Sequence, residues 1–438
     1  MGMVRKGASA GIVSRGLRLG RLGLSLTGSY LGYQAQNLFW GEATRDKRQR
    51  AFEERASKQV RRELGSLKGA AMKLGQLLSL QTHALPAEAI EELSQLQMSA
   101  PAMHPTLARA QFKAALGKYP EEVLAEFEPE PFAAASLGQV HRARTKEGEK
   151  AAVKIQYPAI RSSIESDFKL LRSAMLPARA SGHLPKAILD EVQRGFLEET
   201  DYIHEARNIE SFASGLRRFE YLSIPKVHPG LTAERVLTMS FVEGENVGEF
   251  LKKRPSPSVR DLLGERLIEL FYFQLHWLKA LHADHHPGNY LFAPGGQIGL
   301  VDFGCVKGIG FDAGDLIRSC VERAWRRGDK DAQRVLRHVF GTKAPYARAR
   351  KMLSTLEEMA AILFPEGRAT GSKVDFGKAE SLNMLSRALR RAVKDKITNP
   401  EFAFVSRAEL GLYSLLHRLG SKVDVATVWR RVEGMGPK

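Results

Sequence analysis

The chain has 438 residues, 43% of them hydrophobic, and a formal net charge of +17. This is an ordinary globular composition, long enough to bury a sizeable core in two or three domains or lobes. Only two cysteines, Cys305 and Cys320, argue against a disulfide scaffold and fit a reducing compartment, and the basic excess points to an anionic partner: membrane lipid, nucleic acid or nucleotide.

The excess is uneven. Residues 1–50 hold nine Lys/Arg against two acids. The stretch "RGLRLGRLGLSLTGSYLGYQAQNLFW" has no acid and sets Arg15, Arg18 and Arg21 at three-residue steps among leucines, the pattern of a helix lying in a membrane interface. Residues 22–41 carry no charge, yet Ser, Thr, Gln, Asn and several Gly dilute them below a membrane span. An Arg-rich, acid-poor start equally fits an organellar transit peptide. Residues 1–45 are expected to be a basic, membrane-associating segment, and the bulk of the protein to be soluble.

A helical pattern occupies about 46–98, highly charged at first and acidic-apolar after the break at Pro86. With the turn "APAMHP" it forms a helical extension over 46–105. Within 106–240 the periodicity changes to that of a β-hairpin: "SLGQVHRART", a glycine-containing turn at "KEGEK", then "AAVKIQYP". Helices follow over 160–176 and 186–214, and a strand over 236–242. Residues 241–438 read mostly helical, apart from short strands around "NYLFA" and "IGLVDFG". The second basic stretch, 318–351, with eleven Lys/Arg against three acids, keeps apolar positions at helical spacing and reads as solvated helix faces. A strand-rich segment before a helix-rich one implies an α+β chain of two lobes with a cleft between them.

"LHADHHPGNYLF" at 281–292 holds three histidines, His282, His285 and His286, which invite a zinc reading. The spacing is poor for zinc, and neither cysteine offers a ligand pair nearby. Asp284 and Asn289, five positions apart, lead instead to "IGLVDFG", a short apolar strand ending in Asp302. Phosphoryl transfer needs a carboxylate at the attacking nucleophile and oxygen ligands for magnesium, because the reaction is mainly positioning and charge neutralisation. The protein-kinase pattern supplies these as an Asp, an Asn five residues on, and the Asp of D-F-G. Upstream, Lys154 in "AAVKIQ" stands where a strand lysine reaches phosphates. "AAASLGQV" overlays the phosphate-covering glycine loop, with Ala133 and Ala135 replacing its first two glycines and Gly138 and Val140 retained. Alanine restricts positive φ and keeps the backbone farther from phosphates, so nucleotide handling is expected to differ from that of an ordinary kinase.

The motifs "KLGQ" at 73–76, "AAAS" at 133–136, "VK" at 153–154, "EETDYIHEARN" at 198–208, "HADHHPGN" at 282–289 and "DFG" at 302–304 together resemble the UbiB-like atypical kinases, or aarF-domain (ABC1-type) kinases, over roughly residues 50 to 420. The resemblance implies a protein-kinase-like two-lobed α+β fold whose N-terminal extension carries the K-x-G-Q motif. It makes Asp284 the catalytic aspartate and Asn289 and Asp302 the magnesium ligands. Lys154 would act on phosphate and pair with Glu205, while Ala133, Ala134, Ala135, Ser136, Gly138 and Val140 would cover the nucleotide. Met239, Phe241 and Val242 would meet the adenine at the hinge. Lys73 and Gln76, with Glu199 and Asp201, would regulate access to the site.

Ala283 replaces the Arg of H-R-D, and no A-P-E follows "DFGCVKGIGFDAGD", so a peptide-substrate platform is poorly supported. The expected function is magnesium-dependent ATP binding with ATPase or small-molecule kinase activity. The resemblance ties this to isoprenoid-quinone (ubiquinone) biosynthesis or lipid homeostasis, with ATP/ADP and anionic lipid or a quinone precursor as partners and nucleic acid not among them. The expected place is cytoplasmic and peripheral at a membrane surface, mitochondrial in a eukaryote. A conventional protein kinase and a non-catalytic, nucleotide-gated lipid-binding scaffold are the alternatives.

Overall fold

The computed structural model describes residues 102–135, 137–174, 186–341, 346, 350, 352–365, 372–394 and 399–436. The 1–45 segment, nearly all of the helical extension, Lys73, Gln76 and Ser136 lie outside the described residues. The chain divides into two compact units, one made of Met1–His204 with His228–Met239 and the other of Glu205–Val227 with Ser240–Lys438.

Among the described residues the first unit begins with helix α1 (Pro105–Leu116), capped by the His104 ring on the Thr106 N–H and closed by left-handed Gly117. The turn before it is held by Gln139, whose side-chain oxygen accepts from Met103 N at 2.6 Å and whose amide nitrogen donates back to Met103 O. After the one-turn α2 (Pro120–Val123) comes a five-stranded sheet of β1 (Leu124–Phe127), β2 (Ala133–Ala135), β3 (Gly138–Thr145), β4 (Lys150–Gln156) and β6 (Val236–Ser240), in the order β1-β3-β4-β6 with β2 also on β3. The hairpin read from the sequence is β3–β4, in which Val140 faces Lys154.

The sequence reading missed β1 and β2, which divide one edge of β3 between them. Pro129 and Pro131 separate the two, because a proline has no N–H for a ladder. Phe112 of α1 packs with Val153, Ile155 and Val236 on one side of this sheet. Leu137 joins Ile164 and Phe168 of α3 (Ile160–Ala174) and Phe196 of α4 (Lys186–Glu198) in a second cluster.

Instead of one helix over 186–214 there are two, α4 and α5 (Tyr202–Gly215). Apolar periodicity runs through the join, but Asp201 caps the second helix, its Oδ1 accepting from Ile203 N at 3.0 Å and His204 N at 3.2 Å. Gln156 donates to the carbonyl of Thr200 and ties the break to the end of β4.

In the second unit, β5 (Leu222–Ser223) lies parallel to β9 (Ile298–Leu300), which pairs antiparallel with β8 (Tyr290–Phe292). Helix α6 (Val247–Lys252) follows an Asn246 cap, and α7 (Pro257–Phe273) follows a Ser256 cap. Strands β7 (Ala280–His282) and β10 (Val306–Gly308) form a second antiparallel pair. The described residues then add α8 (Ala313–Glu322), α9 (Asp329–Phe340), α10 (Met352–Leu363), β11 (Val374–Asp375), α11 (Ala379–Lys394), α12 (Pro400–Leu419), β12 (Lys422–Val423) and α13 (Val425–Glu433).

The described part of the basic stretch lies mainly on α9, as the helical spacing indicated. Ala332, Val335, Leu336, Val339 and Phe340 are buried at i, i+3, i+4, i+7 and i+8. Among its described cations Arg326 pairs with Glu357, Arg327 with Glu322, and Arg334 with Asp315 and Asp331.

Glu409 of α12 is half-buried beside an apolar cavity of about 70 Å³ lined by Phe271, Tyr272, Leu356 and Phe402. Burial pushes its carboxyl up to about 7, although the Tyr413 hydroxyl donates to it. The fold therefore keeps a proton that the unfolded chain releases near 4.5. Stability from this group is full below that lower value and is lost as pH climbs through about 7. Glu409→Gln, which keeps an acceptor for Tyr413, should flatten the loss; urea midpoints at about pH 5 and about pH 8 check it.

Candidate functional site

In the first unit Lys154 sits in the middle of β4, 5% exposed, with its Nζ 5.0 Å from the centre of the Tyr202 ring. A lysine this buried is held among partners, which sets it apart from an ordinary edge-strand lysine. Ala133 and Ala134 are exposed on β2, Ala135 is half-buried, and the β2–β3 turn brings Ala135 opposite Gly138. A Cβ on Gly138 would lie 2.2 Å from the carbonyl oxygen of Ile155, so the backbone of β4 alone requires glycine there. Glu199 is half-buried at the end of α4, and Asp201 is committed to capping α5. Met239 is buried in β6.

The second unit gathers the rest. Phe241 and Val242 are half-buried at its entry, and Gly299 of β9 leaves room for the Val242 side chain, which a Cβ would meet at 2.6 Å. Asp284 Oδ1 accepts from His286 N at 3.2 Å, and the Asp284 carbonyl accepts from the side-chain nitrogen of Asn289 at 3.1 Å. The Asn289 carbonyl accepts from Val301 N at 3.2 Å, next to Asp302, whose Oδ1 accepts from Gly304 N at 3.0 Å. The loop 284–289 is thus tied to the strand end by the hydrogen bond between Asn289 and Val301. With its nitrogen on a carbonyl, Asn289 leaves its amide oxygen as the donor suited to a hard cation, and Asp302 adds a carboxylate, so this pair fits magnesium.

Glu205, 2% exposed, accepts from Phe303 N through Oε1 at 3.3 Å, and Asn208 donates to Phe303 O at 3.0 Å. Two side chains one turn apart on α5 therefore clasp the peptide groups of the residue after Asp302. Phe303 itself is fully buried, edge-on to Phe212 and His282. Asn208 closes the motif "EETDYIHEARN", but its role has no local signal in the sequence.

The histidines have separate duties. His282 is buried, with Nε2 2.5 Å from the Asp302 carbonyl. His285 stacks on Tyr290 with ring centres 5.8 Å apart, and burial, with His282 beside it, pushes its pKa down to about 3, so the ring is neutral at ordinary pH. His286 caps a single 3-10 turn through Gly288 N. Among the described residues no group of three or more His, Cys, Asp or Glu is placed to hold a metal ion.

Residues 95–338 match the model of the ABC1 atypical kinase-like domain. The chain belongs to this family. Its relatives include rat "Atypical kinase COQ8B, mitochondrial", 28% identical over 90% of this chain and 73% of the relative. Another is "Protein ACTIVITY OF BC1 COMPLEX KINASE 7, chloroplastic" of Arabidopsis thaliana, 32% identical over 67% of this chain and 44% of the relative. A third is "Probable protein kinase UbiB" of Tolumonas auensis, 32% identical over 58% and 47%. The chain spans about half or less of the length of several of these curated relatives. Among solved structures, the complex of Rv3197 with erythromycin from Mycobacterium tuberculosis aligns over 90% of this chain and 98% of its own, at 25% identity and a TM-score of 0.58. The kinase-like α+β fold expected from the motifs is the fold of this family member. No described helix is long and apolar enough to cross a membrane.

Proposed function

We propose that this atypical kinase is a magnesium-dependent, ATP-binding phosphotransferase or ATPase that supports isoprenoid-quinone biosynthesis or lipid homeostasis at a membrane surface. The observation that carries the reading is that Asn289 binds the Asp284 carbonyl through its side chain and Val301, the neighbour of Asp302, through its own carbonyl, which brings an acid and two candidate oxygen ligands onto adjoining segments. Asp284 would take the proton of the attacking hydroxyl or water, while Asn289 and Asp302 would hold magnesium. Magnesium supplies charge neutralisation on the phosphates when bound. Lys154, with Glu205 as its partner, would hold phosphate, the β2–β3 turn would cover the nucleotide, and Met239, Phe241 and Val242 would border the adenine. Lys73 and Gln76, with Glu199 and Asp201, would control entry.

Ala283 favours a small or lipid-like acceptor over a polypeptide. It is 7% exposed with its N–H on the Cys305 carbonyl, and it offers no guanidinium to clamp a phosphorylated loop. The membrane and quinone terms rest on the UbiB and COQ8B relatives and on the basic N-terminal segment. The test is nucleotide turnover by the purified full chain, with and without anionic-lipid vesicles and quinone precursors. Magnesium-dependent turnover that rises with vesicles is expected. Phosphate transfer to added polypeptide above autophosphorylation would favour a conventional protein kinase, and nucleotide binding without turnover would favour the scaffold.

A further inference from the structure

Helix α7 carries an almost unbroken buried run from Leu267 to Phe273 and then opens into a single π turn, Gln274–Leu278, ending at left-handed Lys279 with φ 53°. A π turn widens the helix locally and re-aims the side chains it carries. Here it sets Gln274, 4% exposed, against the start of the loop that holds Asp284. Successive N–H groups of a strand point to opposite edges. The N–H of Ala283 goes to Cys305 across the β7–β10 ladder, so that of His282 points away from β10, where Gln274 Oε1 accepts it at 2.8 Å. The ring of the same His282 reaches the Asp302 carbonyl at 2.5 Å.

We propose that Gln274 is a positioning residue for the phosphoryl-transfer site: by holding the His282 peptide it sets the Asp284 loop and, through the His282 ring, the peptide of Asp302. This rests on the phosphotransferase reading above. Gln274 touches no reacting group. Its effect lies in the register between two loops that must agree to within a fraction of an ångström for the base and the metal ligands to act together.

The test compares the full chain with Gln274→Asn, which keeps the amide but withdraws it by one methylene, and Gln274→Glu, which keeps an acceptor oxygen at the same reach. Magnesium-ATP turnover is measured over a magnesium titration, and hydrogen exchange at the 280–284 peptide by mass spectrometry. Gln274→Asn should lower kcat about tenfold or more, leave KM for ATP within about threefold, raise the magnesium needed for half-maximal rate, and speed exchange. Gln274→Glu should hold kcat within about threefold of wild type and keep the protection.

The proposal is overturned if Gln274→Asn keeps its kcat, if its rate falls only in step with the folded fraction seen by circular dichroism, or if Gln274→Glu is as slow as Gln274→Asn. Exchange at 280–284 reads the hydrogen bond without turnover. A protected wild type that turns over no nucleotide therefore sinks the phosphotransferase reading, whereas equal exchange in wild type and Gln274→Asn sinks the role of Gln274.

Discussion

Asp284→Asn lowers nucleotide turnover about a hundredfold or more while nucleotide affinity stays within about twofold of wild type, the scale of a lost general base. Asparagine has the shape of aspartate, and its oxygen can still accept the His286 N–H that Asp284 Oδ1 takes. The Asp284 carbonyl that receives Asn289 belongs to the backbone and is untouched by the change. What disappears is the capacity to take a proton as the acceptor attacks. Single-turnover rates with pre-bound nucleotide, set beside equilibrium binding, separate the two effects. Turnover that survives in the variant would remove Asp284 from the role of catalytic aspartate.

Asp302→Asn abolishes the magnesium-dependent part of ATP binding and leaves the fold intact. The amide oxygen of asparagine can keep the Gly304 N–H that Asp302 Oδ1 holds, and the backbone of residue 302 keeps its bond to the His282 ring. The loss is one negative hard-oxygen ligand, and magnesium depends heavily on carboxylates because it gives up its water reluctantly. Calorimetric titration of ATP with magnesium and with chelator checks this. The two curves, far apart for wild type, should coincide for Asp302→Asn, and an unchanged magnesium-dependent affinity would refute the ligand assignment.

Legibility in the sequence followed distance along the chain. The β3–β4 hairpin was readable because turn and strand signals are adjacent, and the loop 284–289 because its chemistry lies within six residues. The break between α4 and α5 was readable in principle from Asp201, a capping residue, yet the apolar period continues across it and masks the stop. Strands β1 and β2 were missed because each is four residues or fewer and exists by pairing with an edge of β3 rather than by its own pattern.

By itself the sequence determined the order and spacing of Asp284, Asn289 and Asp302, the hairpin that carries Lys154 and the helical spacing of apolar positions within the basic 318–351 stretch. These are local matters, settled by residue type and period. Only the tertiary structure decided that Glu205 and Asn208 clasp Phe303 from 98 and 95 residues away. It also decided that Gly138 is required by the backbone of β4, that His285 is a neutral core ring rather than a ligand, and that Gln274 meets His282. The physical reason is that burial and hydrogen-bond partnership belong to the packed arrangement of several elements. A buried N–H must find an acceptor somewhere, and which distant side chain supplies it is fixed only when the helices and strands have come together.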